Sequence, residues 1–225
     1  MNLKQEAAKI AVTFIKSGTA VGLGAGVTMA YMVEFLKEEK LSIQLYTSSA
    51  ATKMLLQQNG FTVNDIAVVP GLDMYFDGCD QFDKALNALK SGGGIHTAEK
   101  LLASMAKEFV LVGDESKYVE QLTTAFPLVL EVLPQAITFV TTKVYQLFNG
   151  VKMSVRYDVN KDAVVTENGN YLVDVWFTAW PELSQLNPVL KTVTGIVETS
   201  LFYNMAGKAV IAGSEGVRIL EKKEV

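Results

Sequence analysis

The sequence predicts an α/β protein: an open, mainly parallel sheet covered by helices, joined to a smaller α+β unit. Three observations lead there. The 225-residue chain is 49% apolar, enough for a sizeable core, yet no apolar run approaches the roughly 18 residues of a membrane span. Strand-like runs alternate with helix-spaced runs as far as Pro127, the rhythm of a parallel sheet with helices on both faces. Beyond Pro127 the order becomes strand, helix, strands, helix, strand, which is ferredoxin-like.

Taken in order, "MNLKQEAAKIAVTFIKSG" mixes charge into an apolar periodicity and predicts an amphipathic helix rather than a signal peptide. "TAVGLG" is a buried strand, and "VTMAYMVEFLKEEK" is a helix. "SIQLYTSS" is a strand, and "AATKMLLQQNG" is a helix stopped by Gly60. "FTVNDIA" and "LDMYFD" are further strands. "TAEKLLASMAKE" is a helix with Thr97 as its N-cap, and "FVLVGDES" is a strand. In the second part "LVLEVLP" is a strand and "QAITFVTTKVYQLFNG" a helix. "KMSVRYDV" is a strand, "AVVTENGNYLVDVWF" a hairpin turning at Asn168-Gly169, "PELSQLNPVLKTV" a helix disturbed by Pro188, and "GIVETSLFY" a strand. "KAVIAGSEGVRIL" is apolar enough to return to the first sheet. The expected domains are a Rossmann-like one over 1–127 plus 204–225 and a ferredoxin-like α+β one over 128–203.

Composition excludes several functions. The net charge is −4 with no basic stripe, against a nucleic-acid partner. One cysteine forms no internal disulfide, and one histidine with one cysteine makes no structural zinc site. A cytoplasmic protein without a membrane partner is the expectation.

Three loops carry candidate chemistry. In "VGLGAGVTMA", Gly22, Gly24 and Gly26 lie between a strand and a helix, where backbone N–H groups and the helix dipole attract phosphate, and Thr28 adds a hydroxyl. It is no dinucleotide fingerprint, because Val27 stands where a glycine is needed and no acid follows some 20 residues on. No Gly-Lys-Ser/Thr follows either, so the P-loop pattern fails. Tight strand–helix packing is the plainer alternative. Asp77 and Asp80 follow a strand and face the predicted crevice, unless they simply make an Asp-Gly turn. In "KSGGGIHTAEK", N–H groups of Gly92, Gly93 and Gly94 can converge on an oxyanion, Lys90 can neutralise it, and Glu99 is a candidate base. His96 reads as structural or exposed. Cys79 reads as a small packing residue, since neighbouring carboxylates raise a thiol's pKa.

At these residues the sequence resembles type A ribose-5-phosphate isomerases. Asp77-Gly78-Cys79-Asp80-Gln81 resembles the family's D-G-A-D-E, and Lys90 to Lys100 its K-G-G-G segment ending in R-E-K. Gly22 to Thr28 resembles its G-x-G-T-G-S-T loop, and "GDESK", "TENGN" and "GSEGV" extend the similarity over nearly the whole chain. The resemblance implies interconversion of ribose 5-phosphate and ribulose 5-phosphate through an enediolate, with no metal or organic cofactor. It implies Glu99 as the general base and Lys90 with the Gly92–Gly94 N–H groups as donors to the enediolate. Asp77 and Asp80 would contact sugar hydroxyls and assist ring opening. Gly24, Ala25, Gly26, Val27, Thr28, Lys117 and Lys4 would hold the phosphate, and Gly78, Cys79 and Ser91 would border the substrate. It also implies a homodimer or homotetramer. The chain departs from the pattern at Ala25 and Val27, which lack hydroxyls, and at Gln81, Ser91 and Ala98, where glutamate, glycine and arginine are usual. Isomerisation of another sugar phosphate, or sugar-phosphate binding without turnover, remain alternative expectations.

Overall fold

Apolar side chains on both faces of the central strands demand cover on both sides, and the architecture follows from that demand. The computed structural model describes residues 2–222. In chain order the elements are α1 (Leu3–Val12), β1 (Ala20–Leu23), α2 (Val27–Glu39), β2 (Gln44–Tyr46), α3 (Ala50–Gln58), β3 (Leu72–Asp77), β4 (Gln81–Asp83), β5 (Ala88–Leu89), α4 (His96–Met105) and β6 (Ala106–Asp114). There follow β7 (Tyr118–Val119), β8 (Leu128–Val132), α5 (Ile137–Leu147), β9 (Lys152–Val155), β10 (Tyr171–Trp176), α6 (Leu183–Lys191), β11 (Ile196–Thr199), β12 (Leu201–Phe202), β13 (Lys208–Gly213) and β14 (Gly216–Glu221).

The large sheet runs β14-β13-β6-β3-β1-β2. It is parallel from β13 to β2, and β14 adds an antiparallel edge. Successive residues of each central strand point to opposite faces. Phe76, Val110, Val112 and Val210 pack under α1 and α2, against Ala8, Ala11, Met29 and Met32. Tyr75, Phe109, Leu111 and Ile211 pack on the other face, against Leu102, Ala103 and Phe202. Burying each large apolar side chain is worth about 1.5–3 kcal/mol, so this double-faced sheet fixes where the strand ends lie.

The second sheet is antiparallel in the order β11-β8-β10-β9, the ferredoxin-like arrangement. Leu128, Leu130, Val132, Val173 and Val175 face Val140, Val144, Leu186 and Leu190 of its two helices. Pro188 stays inside α6 without ending it. A third, small sheet, β12-β5-β4-β7, lies between the two.

Three expectations change. "FTVNDIA" forms no strand. Only Val63 bridges to Leu45, and Asp65 then accepts from the Ala67 N–H to start a 3₁₀ turn at Ile66–Val68. "GIVETSLFY" divides at Ser200, which bonds Val129 before Leu201 pairs with Leu89 in the third sheet. Thr97 is not an N-cap: α4 begins at His96 behind Ile95, without a side-chain cap bond, and the Thr97 hydroxyl donates to Glu131 instead. Among the described residues no helix is long and apolar enough to cross a membrane.

Candidate active site

Parallel strands deliver their C-terminal ends to one edge, where open α/β sheets bind ligands. There β1 ends in Gly24-Ala25-Gly26, β3 in Asp77, and β6 in the segment leading to Lys117. A cavity of about 280 Å³ opens among them, near the lower end of the usual range for small-ligand sites. Lys4, Ala25, Gly26, Val27, Thr28 and Lys117 line it, together with Gly78, Cys79, Asp80, Lys90, Gly93 and Glu99.

The glycine loop shapes both its surroundings and its surface. Gly26 has φ 95° and ψ −177°, a region essentially restricted to glycine, and it opens α2 without a side-chain cap. The first-turn N–H groups of Val27, Thr28 and Met29 therefore have no intrahelical acceptor and suit an anion. Val27 is 58% exposed at this point, an apolar side chain on the wall. Gly24 serves a different end. A Cβ there would lie 1.9 Å from the Asp77 carboxyl carbon, so glycine makes room for that acid. The Gly24 carbonyl accepts from the Thr52 hydroxyl at 2.7 Å.

Asp77 is fully buried and does not line the cavity. Its Oδ2 accepts from the Tyr75 hydroxyl at 2.6 Å and from Lys90 Nζ at 2.8 Å. Its Oδ1 accepts from the Gly78 and Ala25 N–H groups at 2.7 and 3.2 Å. All four partners are protein groups, one of them the wall residue Lys90. Tyr75, which sequence reasoning passed over as a strand residue, anchors it from below. Burial first, then Asp77 and Glu99, hold the Tyr75 hydroxyl far above its usual pKa, so it stays a donor.

Lys90 bridges the acids. Its Nζ lies 2.5 Å from the Gly78 carbonyl, 2.8 Å from Asp77 and 3.4 Å from Glu99 Oε1. Burial works to lower its pKa, but Asp77 and Glu99 more than offset that, and the ammonium is held charged. Glu99 is 5% exposed on the cavity wall. Burial and the Asp77 charge push its carboxyl up to about 8, with Lys90 pulling the other way.

One donor of the expected anion nest, the Gly92 N–H, is already taken within the chain. The Ser91 and Gly92 N–H groups both donate to Asp80 Oδ2, at 2.6 and 2.8 Å, so these donors face an acid of the chain itself. Ser91 turns its hydroxyl to the Pro127 carbonyl at 2.6 Å, away from the cavity. The Gly92 carbonyl takes a bond from Arg156 at 3.3 Å, and Gly94, at φ 71°, packs against Leu172. Of this run only Gly93 reaches the wall. His96 is fully buried off the wall, neither ring nitrogen bonded, and burial takes its pKa down to about 4. Cys79 is a partly buried wall residue whose thiol burial pushes up to about 12, no nucleophile at neutral pH. Among the described residues no group of three or more His, Cys, Asp or Glu is placed to hold a metal.

Fold and site together define an α/β protein whose sheet edge presents a buried acid–lysine–acid cluster beside an anion-ready helix start. The sequence pattern of the family described as ribose 5-phosphate isomerase A (phosphoriboisomerase A) matches residues 44–216. The chain is 38% identical to the ribose-5-phosphate isomerase A of Thermosynechococcus vestitus over 91% of its own length and 88% of the relative's. It is 37% identical to that of Methanothermobacter thermautotrophicus over 98% of both chains. A solved ribose-5-phosphate isomerase in complex with phospho-erythronic acid superposes with a TM-score of 0.91 at 32% identity, covering 98% of this chain and 100% of the other. The chain belongs to the ribose 5-phosphate isomerase A family.

Proposed function

We propose that the protein interconverts ribose 5-phosphate and ribulose 5-phosphate. One observation carries the reading: Glu99 is a buried wall carboxylate 3.4 Å from a lysine locked between two acids. The α2 N-terminus with Lys4, Thr28 and Lys117 holds the phosphate, leaving the sugar beside Glu99 and Asp80. As carboxylate, Glu99 takes the proton from C2 of the open-chain aldose. The C2–H electrons form the C1–C2 double bond of the enediolate as charge develops on the C1 oxygen. Glu99 then returns the proton to C1; as the C1–C2 electrons take it up, the C2 hydroxyl gives up its proton and becomes the carbonyl, and that proton goes to the C1 oxygen.

Lys90 has three N–H groups and three protein partners. When Glu99 becomes neutral its hold on Lys90 weakens, and the third N–H turns to the developing oxyanion, where a preorganised donor is worth most. Asp77, fixed by Tyr75, keeps the ammonium in place throughout.

The same proposal includes two units divided near residues 127 and 203, supported by one apolar cluster wholly within the larger unit and a second centred on the smaller unit, which also takes in Leu89 and Leu122; the outer limits at 1 and 225 lie outside the described residues. Exposed Phe139, Tyr145, Leu147 and Trp176 on the smaller unit support a homodimer or homotetramer, and the unpaired Cys79 supports a cytoplasmic setting.

A direct assay on ribose 5-phosphate tests the reading. Wild type turns over, and Glu99→Gln loses on the order of 10³-fold in kcat. Tight sugar-phosphate binding by wild type without turnover makes the chain a binding protein. Because Val27 replaces a hydroxyl on the wall, the assay includes other aldose phosphates, and a faster alternative substrate would reassign the specificity.

A further inference from the structure

We propose that Glu131 and the Thr166–Asn170 hairpin form a clamp that positions Glu99 by holding Thr97 in the first turn of α4. The proposal rests on the isomerase reading of the site.

Glu131 is the next-to-last residue of β8 and is 1% exposed. The alternating strand "LVLEV" places Leu128, Leu130 and Val132 toward one core and sends Glu131 to the other face, opposite Leu172 of β10. Its Oε1 accepts from Thr166 at 2.8 Å, Asn168 at 3.1 Å and Asn170 at 2.7 Å. Its Oε2 accepts from the Thr97 hydroxyl. No Lys or Arg forms an ion pair with it among the described residues. Burial pushes its pKa upward, but the four donors bring it below the ordinary carboxylate value, so it is an anion held by neutral groups. Three hairpin donors already satisfy one oxygen. The second oxygen reaches a different element, which a hairpin brace alone would not require.

That element is the helix that carries Glu99. Two helical residues turn the side chain by roughly 200°, so Thr97 and Glu99 leave α4 on opposite sides. Lys100 lies on the Thr97 side and is tied to Glu198 at 3.0 Å and to the Thr199 carbonyl at 2.5 Å. The back of α4 is therefore fixed twice by the antiparallel sheet while the front faces the cavity. The helix has no side-chain cap of its own, and neither ring nitrogen of His96 in the same turn has a hydrogen-bond partner. The Thr97 tether is what sets the first turn. Small displacements of a reacting group are expensive in rate, whereas the anion-binding groups sit on α1, α2 and the segment after β6.

The test compares Thr97→Val, which removes the hydroxyl at constant shape, with Thr97→Ser and Glu131→Gln. Expected are a kcat about tenfold lower in Thr97→Val, KM within about twofold, and near-complete recovery in Thr97→Ser. Glu131→Gln should fall with Thr97→Val. Unchanged kcat in Thr97→Val, a rise confined to KM, or a serine variant as impaired as valine would overturn the clamp. A second readout is independent of turnover: the Glu99 carboxyl titration followed by carbon NMR should shift in Thr97→Val, and an unmoved titration overturns the proposal even if wild type proves inactive on ribose 5-phosphate. That inactivity alone would sink the isomerase reading instead.

Discussion

Glu99 is a carboxylate asked to be a base in a place that disfavours its charge. Between the ordinary carboxylate value of 4.5 and about 8, the folded protein keeps a proton on Glu99 that the unfolded chain has released. Folding then binds protons, so the Glu99 contribution is fully present below pH 4.5 and is lost as pH rises through about 8. Glu99→Gln removes this dependence. Urea melts across pH 5–9 should show the variant gaining on wild type by a few kcal/mol, on the order implied by the shift, and parallel curves would refute the assignment. Activity has the opposite sign, because the base works as carboxylate: kcat/KM of wild type rises with pH through the same range. The four residues Asp77, Asp80, Lys90 and Glu99 were legible because they lie within a 23-residue stretch after a recognisable strand. The roles of Tyr75, Arg156 and Glu131 were not. Each acts on a partner through space, and nothing in a valine-and-leucine strand announces that its glutamate is bonded 34 residues away.

Among elements, the glycine loop shows how one residue type answers two demands. Gly24 is fixed by contact, since a Cβ would overlap the Asp77 carboxylate; Gly26 is fixed by its backbone angle, with no heavy atom within 4 Å of a Cβ. Gly24→Ala should destabilise by about 1–3 kcal/mol through overpacking and also lower kcat, because Asp77 and hence Lys90 must shift. Gly26→Ala should destabilise by about 1–3 kcal/mol through strain, leaving the Asp77–Lys90 pair in register. Chemical melts with kcat measured on both variants separate the two, and equal kcat losses would contradict the distinction. Long elements such as α2 and β6 were readable from periodicity. The third sheet was not, because strands of two or three residues are too short to show alternation.

Across the whole molecule, the antiparallel sheet backs the site: Arg156 holds the Gly92 carbonyl, Leu172 fills the space beneath Gly94, and Glu131, with Glu198 and Thr199 gripping Lys100, secures α4. A Cβ at position 94 would meet Leu172 Cδ1 at 2.8 Å. Gly94→Ala should therefore destabilise the fold, and Leu172→Val should relieve part of the loss. A double-mutant cycle is expected to give a coupling of about 1 kcal/mol, with strict additivity counting against this packing. By itself the amino-acid sequence determined the strand–helix alternation, the sheet edge that carries the loops, and the acid–lysine–glycine set, because these rest on local periodicity and short spacing. Only the tertiary structure decided which of those groups face the cavity. Asp77 is buried among four donors, and Asp80, half-buried on the wall, accepts from the Ser91 and Gly92 N–H groups, since a carboxylate settles wherever donors converge, and that convergence exists only once separate segments have packed.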